Sequence, residues 1–144
     1  MAGYSETPLP QKLGVKPGHR VAAIGVPRSA MPVIAEIAAT SPVALKLSGG
    51  APYNVILLFC DRRIDLANGF PKAAARLAAD GGLWVAWPKK SSGVETDLTE
   101  TEVRNLGLSE GLVDNKVCAI DETWSGLRFV VRLKDRPKTP KQPS

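Results

Sequence analysis

The feature of this sequence that most restricts its fold is a series of short apolar runs separated by helical or turn segments. The longest unbroken run, residues 55–60 (VILLFC), is bounded by Asn54 and Asp61. Runs of this length are typical of strands that are buried on both faces of a parallel sheet, whereas a membrane span needs about 20 apolar residues. The chain therefore predicts an α/β sheet and no membrane-spanning segment.

Four apolar runs predict the parallel strands, over residues 20–25, 43–47, 55–60 and 83–87. Apolar residues at helical spacing follow the first run, and a later helix is predicted over 98–106, where Gly107 is expected to end it. The segment 64–79 is also expected to be helical, with a break at Gly69 and a restart at Pro71.

Polar residues mark where two of these helices begin. Asp61 is expected to cap the helix that follows the third strand. For the helix over 98–106, the sequence allows two alternative capping boxes, one formed by Asp97 with Glu100 and one by Thr99 with Glu102.

The pattern changes near the end of the chain. Residues 112–120 and 127–133 predict two strands, and the linker between them is too short for a crossover helix, so they should pair antiparallel. The predicted fold is a Rossmann-like three-layer sandwich, with a mostly parallel sheet that ends in an antiparallel hairpin. This is the outline of the methyltransferase fold with about one strand–helix unit fewer, a reduced methyltransferase-like topology.

The chain divides into three predicted parts: an N-terminal arm (1–19), a Rossmann-like α/β domain (20–133) and a disordered basic tail (134–144). The net charge is +5, but it is polarised, because residues 95–122 are acidic. Two cysteines without CxxC spacing and a single histidine predict no disulfide scaffold and no metal site. The start of the chain has no secretory signal pattern, so a cytoplasmic protein is expected.

The standard cofactor site of such a sheet needs a Gly-rich turn after the first strand and an acidic residue after the second strand. The turn here, residues 25–29, has one glycine and also Pro27, which removes a backbone donor. The second predicted strand runs into residues 46–50, which include no acid. The sequence therefore predicts neither an S-adenosylmethionine nor a dinucleotide site of the usual kind, and no cofactor.

Basic residues follow three of the predicted strands, and parallel strands would bring them to one edge of the sheet. Cations beside small hydroxylated residues suit a phosphate or a carboxylate. These candidate anion-binding residues, which we call the basic rim, are Arg28, Ser29, Arg62, Arg63, Lys89, Lys90, Ser91 and Ser92. The alternative is that they are solvated loop charges.

Three other side chains have chemistry to consider. Cys60 precedes Arg62 and Arg63, and cations next to a helix N-terminus would lower the thiol pKa and make it reactive; the alternative is an inert buried thiol. His19 is expected to be a surface or turn histidine at the opposite edge of the sheet. Trp124 is expected to pack on its own sheet rather than to contact a partner.

Three stretches are similar to a known family: KLGVKPGHRV (12–21), LWVAWPKKSSGVETDLTE (83–100) and GLVDNKVCAIDETWSGLRFVV (111–131). They resemble the bacterial family called domain of unknown function 3052. The resemblance covers roughly residues 3–133. It implies a small, cytoplasmic, Rossmann-like protein, and it carries over no catalytic residue and no ligand.

The function that the sequence favours is noncatalytic binding of an anionic small molecule or a protein partner at the carboxyl ends of the strands. Two alternatives remain open: a reduced S-adenosylmethionine-dependent methyltransferase-like enzyme with an atypical pocket, and a nucleic-acid-associated protein that uses the basic rim and the tail. The aromatic content of 6% gives little support to base stacking.

Overall fold

A computed structural model of the chain describes residues 7–136. The strands are β1 (Val21–Ile24), β2 (Val43–Ala44), β3 (Tyr53–Phe59), β4 (Leu77–Pro88), β5 (Leu112–Ala119) and β6 (Trp124–Val131). The α-helices are α1 (Leu9–Leu13), α2 (Met31–Ala38), α3 (Arg63–Ala74) and α4 (Glu100–Ser109). Over the described residues these strands form one six-stranded sheet in the order β2-β1-β3-β4-β6-β5.

Helices cover both faces of the sheet. One face carries α3 and α4, which bury Phe70 and Val103 against it. The other face carries α1 and α2, which bury Leu13 and Ile37. β1, β2, β3 and β4 are parallel, and β6 runs antiparallel to both β4 and β5. The predicted three-layer sandwich with a closing antiparallel hairpin is therefore confirmed.

The centre of β4 is the most deeply buried part of the sheet. Residues 83–87 are all buried, and Trp84 and Trp87 belong to the cores on opposite faces, as their alternation in a strand requires. The indole Nε1 of Trp84 donates a hydrogen bond of 3.0 Å to the backbone oxygen of Leu13. This bond ties the central sheet to the segment that precedes β1.

The two predicted end segments are described only in part. Residues 7–19 of the predicted arm pack on the α1–α2 face through the buried side chains of Leu9, Leu13 and Val15. At the other end, Leu133–Asp135 form a turn of 3-10 helix. Residues 137–144 of the predicted tail lie outside the described residues.

The predicted break within the helix over 64–79 is wrong. α3 continues through Gly69 and Pro71 without interruption, although Pro71 cannot donate a helical hydrogen bond. Phe70 is fully buried, and its ring meets that of Phe129 edge-on, with 5.2 Å between the ring centroids. This packing against the sheet offsets the missing bond, because tertiary burial supplies most of the stability of a protein helix.

Residues 77–82 belong to β4 rather than to a helix and a turn, which is a second correction. β4 pairs with β3 at Leu77 and again from Gly82, with a bulge between the two points. A Cβ on Gly81 would lie 2.6 Å from the backbone oxygen of Asn54. Gly81 therefore permits the close approach of β3 and β4, and Gly82 leaves room for the side chain of Arg128.

Two predicted element ends are also wrong. β2 ends at Ala44 rather than at residue 47, because its pairing with β1 is limited to Val43 and Ala44. α4 continues past Gly107 to Ser109, since a Cβ on Gly107 would lie 2.0 Å from Cε1 of Phe129. Gly107 thus allows helix and sheet to pack closely, and the glycine with positive φ that follows the end of α4 is Gly111.

Helix α4 is fixed at its start and to the outer strand. The hydroxyl of Thr99 accepts a 3.3 Å bond from the backbone nitrogen of Glu102, so the capping side chain is Thr99. Arg104 forms ion pairs with Glu100, at 2.8 Å, and with Asp114 of β5, at 2.9 Å. These pairs connect α4 to the outer edge of the hairpin.

The crossover from β2 to β3, residues 45–52, contains no helix and is held by two arginines. Nη2 of Arg20 donates to the backbone oxygen of Ser48 at 2.6 Å, and Nη2 of Arg76 donates to the same oxygen at 2.8 Å. The guanidinium of Arg20 also lies 4.2 Å from the ring centroid of Tyr53. We call this group the arginine clamp.

Replacing Gly107 with alanine tests the close contact between α4 and the sheet. Alanine favours a helix over glycine by about 1 kcal/mol, but overpacking a core costs about 1–3 kcal/mol. We expect Gly107→Ala to lower the free energy of unfolding in urea. Asn105→Ala, an exposed change on the same helix, should stay within about 0.5 kcal/mol of the parent. Equal stability of the two variants would contradict the contact.

Candidate functional site

The carboxyl ends of the parallel strands lie at one edge of the sheet, and β1 is flanked there by β2 and β3. The sheet continues to β2 on one side of β1 and to β3 and β4 on the other side. This is a topological switch point, and ligands of open α/β sheets bind in the crevice at such a point. A cavity of about 400 Å³ lies there. The residues that line this switch-point cavity are Ile24, Gly25, Pro27, Leu58, Phe59, Cys60, Asp61, Asp65, Asn68, Gly69, Lys72 and Trp124.

Apolar side chains from three strands form much of the cavity wall. Ile24 ends β1, Leu58 and Phe59 end β3, and Trp124 begins β6. The rings of Phe59 and Trp124 meet edge to face, with 5.1 Å between centroids and 83° between planes. The prediction that Trp124 packs on its own sheet is confirmed, and the same side chain also faces the cavity.

Gly25 shapes the turn at the mouth of the cavity. Its φ is +70°, and a Cβ at this position would lie 2.7 Å from the backbone oxygen of Phe59. Close contact with β3 is therefore sufficient to require glycine here. The neighbouring Pro27 lines the same cavity and has no backbone N–H to offer a ligand.

A polar flank comes from the start of α3. Asp65, Asn68 and Lys72 are spaced so that they share one side of the helix, and Asp61 stands just before it. None of these four residues is among the site candidates predicted from the sequence. Their helical spacing was visible in the sequence, but only the packing of α3 on β3 and β4 shows that this side of the helix borders a cavity.

The thiol of Cys60 at the cavity is not activated. Burial raises the pKa of Cys60 to about 12, and the carboxylates of Asp65 and Asp61 contribute to the rise. The hypothesis that Arg62 and Arg63 lower this pKa is therefore wrong, because desolvation and the nearby carboxylates dominate. At neutral pH Cys60 is a thiol, which is a poor nucleophile.

The loops at the carboxyl edge are tied to one another. The backbone nitrogen of Arg63 donates to Oδ1 of Asp97 at 2.7 Å, and the Arg63 side chain forms an ion pair with Glu102. The N-cap residue of α3 is Arg62, which makes no capping bond through its side chain. The predicted cap, Asp61, is therefore wrong, and a residue from the loop before α4 satisfies this helix start instead.

The residues of the basic rim lie on three loops at the carboxyl edge, and none of them lines the cavity. Arg28 and Ser29 lie in the turn after β1, Arg62 and Arg63 lie at the start of α3, and residues 89–92 follow β4. The structure thus brings the eight residues to one edge of the sheet, as expected from parallel strands. It does not gather them around the switch-point cavity.

Two of the rim residues already have partners within the protein. Arg63 is the one rim cation that takes part in an ion pair among residues 7–136. The hydroxyl of Ser92 donates to the backbone oxygen of Lys89 at 2.7 Å and accepts from the nitrogen of Val94 at 3.1 Å. Of the remaining rim cations, Arg28, Arg62 and Lys90 are exposed and Lys89 is partly exposed.

The opposite edge holds the single histidine. Nδ1 of His19 accepts a 3.2 Å bond from the backbone nitrogen of Lys16, which confirms a turn histidine. Within the described part of the chain, no group of three or more His, Cys, Asp and Glu side chains is arranged to hold a metal ion. Across residues 7–136, no helix has the length and apolar character needed to cross a membrane.

No protein-family profile matches the chain, and no curated protein matches it. Its resemblance to the domain of unknown function 3052 remains a prediction. Solved structures do match, among them a Burkholderia thailandensis 1,6-didemethyltoxoflavin-N1-methyltransferase with bound S-adenosylhomocysteine. It shares 14% identity at a TM-score of 0.60, over 84% of this chain and 73% of that chain.

Two further matches have the same architecture. An S-adenosylmethionine-dependent methyltransferase from Aquifex aeolicus shares 12% identity at a TM-score of 0.58, over 85% of this chain and 87% of that one. Magnesium protoporphyrin IX methyltransferase from Synechocystis PCC 6803 shares 10% identity at 0.55, over 81% and 75%. Likeness at these identities shows the fold alone, and the fold is that of Rossmann-like methyltransferases.

Thiol labelling tests the environment of Cys60. With a pKa of about 12, a fraction of about 10⁻⁵ of Cys60 is thiolate at pH 7, so a maleimide should react with it very slowly. Cys118 is half-buried, and although burial raises its pKa, Lys12 and Lys116 oppose the rise. We expect Cys118 to be labelled at least about tenfold faster, as followed by mass spectrometry.

The single variants Cys60→Ser and Cys118→Ser assign each signal, and labelling in urea checks that both thiols react once the chain is unfolded. Faster labelling of Cys60 in the folded protein would contradict the raised pKa and would restore the reactive-thiol hypothesis.

Proposed function

We propose that this chain binds a cofactor of the S-adenosyl class in the switch-point cavity, as a reduced methyltransferase-like protein. The observation that carries the proposal is the cavity itself, which lies between the carboxyl ends of β1 and β3 and has a volume of about 400 Å³. This volume lies within the range of small-molecule sites, and the place is where open α/β sheets bind ligands.

The lining residues suit such a cofactor in two respects. Phe59 and Trp124 offer an apolar aromatic wall for an adenine ring, and Asp61 and Asp65 offer negative charge for sulfonium and ammonium groups. The departure from the usual pattern is at β2, where the chain continues into Lys46 and no acid follows the strand. The ribose contact would then come from other groups.

An S-adenosylmethionine cofactor supplies an electrophilic methyl group when it is bound. The chain's own residues would bind and orient the cofactor through the apolar wall, which also excludes water from it. Asp61 and Asp65 are the carboxylates at the cavity, so they are the groups placed to hold a proton released there. Cys60 takes no part as a nucleophile, because its raised pKa keeps it protonated.

Filling the cavity tests the proposed function. Asn68 is an exposed residue of α3 that lines the cavity, so Asn68→Trp should place a large side chain in it. We expect S-adenosylmethionine to bind the parent protein in isothermal calorimetry and to lose at least about tenfold in affinity in this variant. Glu36→Trp is the matched control, because Glu36 is an exposed residue of α2 and does not line the cavity.

Absence of binding to the parent protein, or equal loss in both tryptophan variants, would count against a cofactor site in this cavity. Thermal unfolding of each variant, without ligand, separates a blocked site from a damaged fold.

A second candidate function is the binding of phosphate-bearing ligands at the basic rim. It is favoured by one observation: among the described residues, Arg28, Arg62, Lys89 and Lys90 form no ion pair, and they stand on three loops at one edge. Unpaired cations on neighbouring loops attract anions, including the acidic side chains of a protein partner.

Inorganic pyrophosphate is a simple probe of the rim. We expect the double variant Lys89→Ala/Lys90→Ala to weaken its binding severalfold, with a weaker effect at high salt. The control is Lys16→Ala/Lys134→Ala, which removes the same charge from two exposed residues at the opposite edge. Equal weakening in both double variants would indicate a general charge effect rather than a rim site.

A further inference from the structure

We infer that the switch-point cavity selects ligands that carry a positive charge next to an aromatic or apolar body. For the proposed cofactor this means a preference for the sulfonium of S-adenosylmethionine over the neutral thioether of S-adenosylhomocysteine. This refinement rests on the proposed function, but its physical basis is the cavity's own charge. It also reverses the sign of the ligand that the sequence favoured.

The formal charges at the cavity carry the first step. Asp61 and Asp65 line it, and Lys72 is the one basic residue in its wall. The ion pairs formed within residues 7–136 include neither carboxylate, so no described cation neutralises them at contact distance. Asp65 lies in the first turn of α3, on the side of the helix that borders the cavity.

Arg62 and Arg63, the arginines that follow Asp61 in sequence, carry the second step. Arg63 does not line the cavity. Its backbone nitrogen and its side chain bond to Asp97, and its side chain also forms an ion pair with Glu102 of α4. Arg62 adjoins Asp61 in sequence but does not line the cavity. The edge therefore separates charge, with cations on the outer loops and carboxylates at the cavity.

The buried thiol supports the same sign of potential. Cys60 lines the cavity, and after burial the causes that raise its pKa are the carboxylates of Asp65 and Asp61. A negative potential disfavours a thiolate and favours a bound cation for the same electrostatic reason. Phe59 and Trp124 in the same wall offer apolar contact for the body of such a ligand.

Two matched pairs of probes measure this selectivity. The first pair is S-adenosylmethionine and S-adenosylhomocysteine, which differ in the sulfonium charge. The second pair is tryptamine and tryptophol, which share an indole body and differ in carrying an ammonium or a hydroxyl group. The affinity of each is measured by calorimetry on the full-length parent protein at low and high salt.

We expect the cationic member of each pair to bind at least about tenfold more tightly, with a ratio that falls as salt is added. Asp61→Asn and Asp65→Asn should each lower this ratio severalfold, and the two together should bring it close to one. Asp80→Asn is the matched control, because Asp80 is an exposed aspartate at the start of β4, near the opposite edge of the sheet.

The outcomes separate the two proposals. Equal affinity of the parent for tryptamine and tryptophol, or no detectable binding of either, would overturn the cationic preference. A ratio that the Asp61→Asn/Asp65→Asn variant leaves unchanged, in a protein whose thermal unfolding matches the parent's, would overturn it as well. If tryptamine is preferred but neither S-adenosyl ligand binds, the charge selectivity stands and the proposed cofactor does not.

Discussion

The burial of β4 is the constraint on which the rest of this structure depends. Residues 83–87 lie inside both cores and pair in parallel with β3 on one side and antiparallel with β6 on the other. Trp84 completes the arrangement by bonding the backbone oxygen of Leu13, which brings the segment before β1 onto the sheet. Because β4 pairs with β3 in parallel and with β6 antiparallel, the parallel half and the hairpin contribute to the same two cores, and the hairpin places Trp124 at the cavity.

The site follows from how the loops at the carboxyl edge are joined. Asp97 accepts the bond from the first residue of α3, so the loop before α4 holds the position of the loop after β3. Because Arg63 is engaged by Asp97 and Glu102, the cavity wall carries the two carboxylates of Asp61 and Asp65 against the single cation of Lys72. The loops of the carboxyl edge therefore carry the cations of the basic rim, whereas the cavity at that edge has more acidic than basic residues in its wall.

Local patterns were sufficient for most of the fold. Apolar runs predicted the strands, and the short predicted linker over residues 121–126 predicted the antiparallel hairpin, because these features depend on period and distance along the chain. The second strand in fact begins earlier than predicted, at Trp124. The errors arose where tertiary contact overrides local preference, as when Phe129 requires Gly107 within α4 and Asn54 requires Gly81 within β4. The cavity was beyond sequence reasoning for the same reason. Residues such as Asp65 become cavity residues only because α3, which packs on β3 and β4, borders the same cavity as the end of β1.

The arginine clamp makes the two edges of the sheet depend on sequence in different ways. Arg20 and Arg76 hold the crossover through backbone carbonyl oxygens, which every residue type supplies. At the far edge, Arg104 holds α4 to β5 through the side chains of Glu100 and Asp114, so this contact depends on the identity of those two residues. Substitutions in the crossover can therefore change its side chains and still leave the acceptors of the clamp in place, whereas substitution of Glu100 or Asp114 removes a partner of Arg104.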